Sequence, residues 1–190
     1  MDSGLLAIWV QAIGTISTIG VGAWSIRWQV RRQWLAHSAA LLMSLEEQFR
    51  SKELIEGRRA LAHKIQVEIR KSSQGSALPG YWPALSFFDD LGAMVHRKAI
   101  DEELVWDRFN WRITRCYIAL KGETNLLENT RTFYKEPFMY SRFEWLAERM
   151  LECYKSKGIS INRDSAAAEY IEQESALFSN REQLSSGESC

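Results

Sequence analysis

From Leu5 to Ile26 the chain carries no charged side chain, and Arg27 follows at once. A helix of about 22 residues is roughly 33 Å long, enough to cross a hydrocarbon core of ~30 Å. In lipid, every backbone polar group has to be satisfied within the protein, which for a single run means a helix. Trp9 and Trp28 stand about 19 positions apart, near the two levels where interfacial aromatics sit. Asp2 is the one charge ahead of the run, whereas Arg27, Arg31 and Arg32 follow it. That asymmetry predicts a short external N-terminus and a cytoplasmic remainder. No basic stretch precedes the run, and the run is too long for the apolar part of a leader, so cleavage is not expected. The competing reading is the core helix of a soluble protein. Four tryptophans in the first 34 residues and the arginine flank argue against it.

The run is also two-sided. At about 100° per residue, Gly4, Ala7, Gln11, Gly14, Thr15, Thr18, Gly22 and Ser25 share an arc of roughly 100°. Leu5, Leu6, Trp9, Ile13, Ile16, Gly20, Ala23 and Trp24 face the other way, a side that is mostly bulky and apolar. Gly14, Thr18 and Gly22 repeat every fourth position, the small-residue pattern that lets membrane helices approach closely. The Gln11 amide needs a partner in lipid, and a sister chain supplies one most simply. The expected partners are therefore the bilayer and other copies of the chain. A dimer or trimer buries this seam dry, and a larger ring turns it around water as a narrow pore.

The remaining residues read as all-helical. Prolines number three, and strand-like alternation is scarce. The span is expected to continue as one helix, with Leu35, Ala39, Leu42, Leu45 and Phe49 as an apolar seam. Ser51 caps a second helix, from Glu53 to about Lys71, with Leu54, Leu61, Ile65 and Ile69 inward. A loop follows from Ser72 to Pro83. A third helix covers Ala84 to Lys98, and a fourth runs from an Asp101 cap to about Leu120, with Gly122 ending it. A short fifth covers Thr124 to Tyr134. A sixth opens at Pro137 and runs to about Tyr154. The polar tail holds one short helix capped by Ser165, and it is expected to be disordered from Asn180 on. The expected organisation is a transmembrane segment with its external N-terminus (1–28), a cytoplasmic helical domain (29–158) and a polar tail (159–190).

Signs of chemistry are few. Basic and acidic residues balance at 24 each, which gives no electrostatic footprint for nucleic acid. Cys116, Cys153 and Cys190 are scattered and odd in number, which fits neither a disulfide framework nor a zinc site. Asp89 and Asp90 stand out, and His96 lies two helical turns on, but one histidine and one carboxylate make no ligand set. Ion pairing of Asp89 or Asp90 with Arg58 or Arg59 is the expected structural role. No phosphate-loop, dinucleotide, zincin or nucleophile-elbow pattern occurs, so no enzyme, metal or cofactor is expected. Arg27, Arg31 and Arg32, with Arg50 and Lys52, form a basic zone suited to anionic headgroups.

The arrangement has a familiar outline. A span with a basic exit is followed by GRRALAH, then by LSFFDDLGAMVHRKAIDEELVWDRF, then by FEWLAERM. It resembles a bacterial family of small membrane-anchored proteins of unknown function, the DUF4760-like proteins, from Leu5 to about Tyr154. The resemblance implies a single N-terminal span, a cytoplasmic helical domain and a bacterial inner-membrane address, and it implies no catalytic residue. The leading functional expectation is a self-assembling membrane effector, permeabilising in a defence or toxin-like role. Its cytoplasmic domain would sense a protein or small-molecule trigger. The alternative is a membrane-tethered adaptor without conductance.

Overall fold

The computed structural model describes residues 3–71, 77–78, 82–122 and 125–187, with side chains described for residue 22 and for residues 24–176 of that set. Seven helices and no strand occur among the described residues. They are α1 (Ser3–Phe49), α2 (Lys52–Lys71), α3 (Pro83–His96), α4 (Glu102–Lys121), α5 (Leu126–Tyr134), α6 (Ser141–Ser156) and α7 (Arg163–Gly187). The chain divides into two compact units, Met1–Leu41 and Leu42–Cys190. Among the described residues no helix is long and apolar enough to cross a membrane. The expected span from Leu5 to Ile26 lies on α1, but side chains 3–21 and 23 are outside the described residues, so the span rests on the sequence alone.

Local capping chemistry sets several boundaries. Ser51 Oγ accepts from the Leu54 N–H at 3.3 Å, and Asp101 Oδ1 accepts from the Glu103 N–H at 2.9 Å, so α2 and α4 start where the sequence placed their caps. Pro83 occupies the first turn of α3, where its missing N–H costs nothing. Two expectations fail. The sixth helix begins at Ser141 rather than Pro137, because Lys135 and Tyr140 both adopt left-handed backbone and residues 137–140 form a turn. The tail is helical from Arg163 to Gly187, not disordered from Asn180. Its start is set by Asn162, whose Oδ1 accepts from the Asp164 N–H at 3.0 Å, and not by Ser165. No glycine or proline interrupts that helix before Gly187.

Within Leu42–Cys190, α3 packs chiefly on α6, α4 on α6 and α7, and α2 on α3 and α7. The centre is aromatic: Phe49, at the end of α1, lies 5.1 Å from Phe87 and 5.2 Å from Phe109, and Phe88 stacks on Phe143 at 5.6 Å. Leu61, Ile65, Leu85, Leu91, Ile113, Leu120 and Leu146 complete it. Each such side chain contributes roughly 1.5–3 kcal/mol relative to exposure. Leu42, Leu45 and Phe49 of the expected apolar seam are buried, while Leu35 and Ala39 are exposed. Gly92 is needed where α3 crosses the start of α6, since a Cβ there would fall well inside contact distance of the Arg142 carbonyl.

Candidate functional site

Each unit presents one feature that could meet a partner. On α1, in the unit Met1–Leu41, Trp24, Ile26, Trp28 and Val30 are all exposed, Trp24 by 69%. Trp24 and Trp28, one turn apart, stack at 6.5 Å with 15° between their planes. The Arg32 guanidinium, a further turn on, sits 3.7 Å over the Trp28 ring. Arg27, Arg31 and Arg32 are exposed beside them. Bulky apolar groups held in water and interleaved with guanidinium groups suit a boundary between an apolar phase and an anionic aqueous surface. Of the expected seam, Gln11, Gly14, Thr15 and Thr18 have side chains outside the described residues. Gly22 faces open space within its own chain, and Ser25 is half-buried.

In the unit Leu42–Cys190, α4, α6 and α7 enclose a half-open cleft of about 890 Å³. Ile69 of α2 lines its apolar side with Ile118, Ala167 and Ile171, and Lys121, Glu148, Glu152, Lys155, Arg163 and Asp164 form its charged rim. One wall is wired by hydrogen bonds. Lys121 Nζ donates to the Tyr117 hydroxyl at 2.6 Å and to Glu144 Oε1 at 2.9 Å, and the Tyr117 hydroxyl donates to Glu148 Oε1 at 2.9 Å. Arg131 NH1 lies 2.7 Å from Glu144 Oε2. Burial works against the charge of Glu144, but hydrogen bonds from Lys121 and Arg131 outweigh it and bring its pKa to about 2. Burial pushes the Tyr117 phenol up, and its bonds to Tyr117 and Glu144 hold the Lys121 ammonium charged. These three groups therefore keep fixed charge states near neutrality.

Asp89 and Arg58 have partners other than the ion pairing expected between them. Arg58 turns into the core and meets Glu174 of α7, with 3.3 Å between Arg58 NH1 and Glu174 Oε1, and its guanidinium lies 3.9 Å over the Phe49 ring. Asp89 Oδ1 instead accepts from the Arg142 and Phe143 N–H groups, both at 2.9 Å. Asp90 and Arg59 are exposed. The reason is directional. Asp89 sits at the α3–α6 crossing, where the N–H groups at the head of α6 lack helical acceptors and donate to its carboxylate. His96 stands edge-on to Trp145 at 5.0 Å. Among the described residues no group of three or more His, Cys, Asp or Glu could hold a metal ion.

Cys116 is fully buried, and burial lifts its thiol to about 12, whereas Cys153 is only half-buried and Cys190 lies outside the described residues. Sequence reasoning missed Glu174, the Tyr117–Lys121–Glu144 network and Arg131. For Glu174 a signal existed: Ala166, Tyr170 and Glu174 recur every fourth residue and form the buried stripe of α7.

The profile of a family described as a domain of unknown function (DUF4760) matches residues 12–150, from α1 through most of α6. No curated protein and no solved structure matches the chain.

Proposed function

The chain belongs to the DUF4760 family, and from that premise we propose that it is a self-assembling effector tethered in a bacterial inner membrane. Its short N-terminus lies outside, and its helical domain lies in the cytoplasm. The observation that carries the reading is the exposed pair Trp24 and Trp28, stacked on each other and capped by Arg32. It stands where the uncharged run from Leu5 to Ile26 ends, and rings with a guanidinium cover suit the headgroup level. Gln11, Gly14, Thr15, Thr18, Gly22 and Ser25 form the seam between copies, and Arg27, Arg31 and Arg32 face anionic lipid. The cleft between α4, α6 and α7 receives the trigger, a protein segment or small molecule with both apolar and charged parts. Assembly of the spans then alters membrane permeability.

Three measurements test this. A tag at the N-terminus should be accessible only from outside, and one at the C-terminus only after lysis; full release of the protein by high salt overturns the membrane reading. Gly14→Leu with Gly22→Leu should remove crosslinked oligomers while leaving membrane insertion intact, and unchanged ladders overturn the seam. The cleft, half-open and balanced in charge, favours a second reading as a non-conducting adaptor that docks a partner helix. Liposomes carrying the purified protein decide between the two: ion leak supports the effector, and its absence in the assembled state supports the adaptor.

A further inference from the structure

The rim of the cleft between α4, α6 and α7 is balanced in charge by number, but its charges are not equally engaged. Glu148 accepts from Lys121 and from the Tyr117 hydroxyl, and Glu152 meets Arg149 at 3.8 Å. Lys121 is held in turn by Tyr117, Glu144 and Glu148. Lys155 and Arg163 differ. Both line the cleft, both are exposed, and neither side chain has a hydrogen bond or ion pair among the described residues. Of the rim acids, only Asp164 has a side chain in the same state there. Asp164 belongs to the first turn of α7, where the helix dipole stabilises a negative charge. Arg163 opens that same turn, where the dipole disfavours a cation, and no acid offsets it. Two unengaged cations against one such acid leave the rim a surplus of positive charge that an anion neutralises.

The same cleft takes one branched aliphatic side chain from each of four helices: Ile69 of α2, Ile118 of α4, Leu151 of α6 and Ile171 of α7. The α7 wall is held in place, since Glu174 meets Arg58 of α2 at 3.3 Å and Glu169 Oε2 accepts from Arg115 Nε of α4 at 2.7 Å. Size narrows the choice of occupant. The α7 wall runs from Arg163 to Ile171, about 12 Å of helix. A partner helix would find room there for little more than two turns, roughly eight residues. Stable protein interfaces use about 20–30 residues a side. A volume of about 890 Å³ lies instead within the ~300–1,000 Å³ of small-molecule pockets.

We propose that the cleft binds an anionic amphiphile, a single apolar chain with a carboxylate or phosphate head. The head lies on Lys155 and Arg163, and the chain lies along Ile69, Ile118, Leu151 and Ile171. This rests on the reading of the cleft as the trigger site and names the ligand class. The chain gains by leaving water for the aliphatic lining, whatever its head. The head sets the preference, because a neutral or cationic head on the same chain loses the attraction of both cations.

The test places the full chain in phosphatidylcholine nanodiscs, irradiates it with a photoreactive decanoate and maps the adducts by mass spectrometry. Matching probes carry the same photoreactive chain on an alcohol or a trimethylammonium head. Severalfold more adduct on the peptides of Leu151 and Ile171 from the carboxylate than from either other head is the expected result. Lys155→Glu with Arg163→Glu, both exposed and outside the core, should reverse that order in favour of the ammonium. Equal labelling by the three heads, or an order unchanged by the charge reversal, overturns the proposal. Ala168→Trp is an independent variant, exposed and lining the cleft. It should remove adducts there for every head, and undiminished adducts overturn the proposal. Unlabelled decanoate and decyl phosphate then compete with the probe. The stronger competitor identifies the head, and competition by neither overturns the proposal. Ion leak with and without decanoate, measured against protein-free liposomes, reads the trigger separately. Cleft adducts without a change in leak support the site and overturn only the trigger reading.

Discussion

Asp89 of α3 closes the head of α6: its Oδ1 accepts from the Phe143 N–H at 2.9 Å, across a gap of 54 positions in sequence. Phe143 in turn stacks on Phe88, the residue before Asp89, so cap and core contact share one crossing. Gly92, one turn on, allows that crossing to be close. Asp89→Ala is expected to destabilise the domain by about 1 kcal/mol, the usual worth of a helix cap. Gly92→Ala forces the Arg142 backbone to move and is expected to cost roughly 1–3 kcal/mol. Urea unfolding followed by far-ultraviolet circular dichroism measures both. A Gly92→Ala midpoint equal to that of the parent would mean that the crossing is loose.

Arg58 and Glu174 make the second relationship that can be measured. Their side chains are 4% and 2% exposed, and Arg58 Nε and Glu174 Oε2 lack partners. Removing one member leaves the other charged and buried, so Arg58→Ala or Glu174→Ala alone is expected to cost about 3–5 kcal/mol. Arg58→Met with Glu174→Leu removes both charges and keeps most of the volume, and is expected to be neutral or stabilising by about 1–4 kcal/mol. A double variant as unstable as either single would show that the pair itself holds α7.

What the sequence makes legible here is what is local. Ser51 and Asp101 bond to N–H groups two or three residues on, so their roles follow from spacing alone. Leu54, Leu61 and Ile65 are buried because helical periodicity puts them on one face. Asp89 and Arg58 take partners that the sequence does not indicate, Phe143 and Glu174, because tertiary packing brings them together across 54 and 116 positions. Tyr140 ends the turn before α6 in a left-handed conformation that its residue type does not advertise. The cleft was equally invisible, since α4, α6 and α7 supply its walls from separate stretches.

Glu144 gives a pH dependence with a definite sign. Its pKa is about 2 in the folded chain against an ordinary 4.5, so the unfolded chain binds the proton more readily. The stabilisation is therefore fully present above about pH 4.5 and is lost as pH falls toward about 2. Glu144→Gln is expected to lower stability at pH 7 and to flatten the acid side of the stability profile. Arg131→Gln is expected to do the same in part, because Arg131 supplies one of the two cationic bonds. Thermal midpoints between pH 7 and pH 3 measure both. A parallel fall in parent and Glu144→Gln would place the acid sensitivity elsewhere.

Cys116 reports on whether α7 stays closed. It is fully buried, with Tyr170 of α7 among the groups acting on its thiol, and burial raises that thiol to about 12. Thiolate, not thiol, attacks thiol reagents, and the reagent also needs access, so the closed domain protects Cys116 twice. With Cys153→Ser and Cys190→Ser, the remaining thiol is expected to react orders of magnitude more slowly in the native chain than in the denatured one. Its native rate then measures local opening. Arg115→Glu, which sets two acids against each other at the α4–α7 contact, is expected to speed that reaction without changing the rate in denaturant. The Arg58→Met and Glu174→Leu pair is expected to slow it. Equal rates in all native variants would mean that Cys116 is reached by unfolding of the whole domain and that α7 does not open on its own.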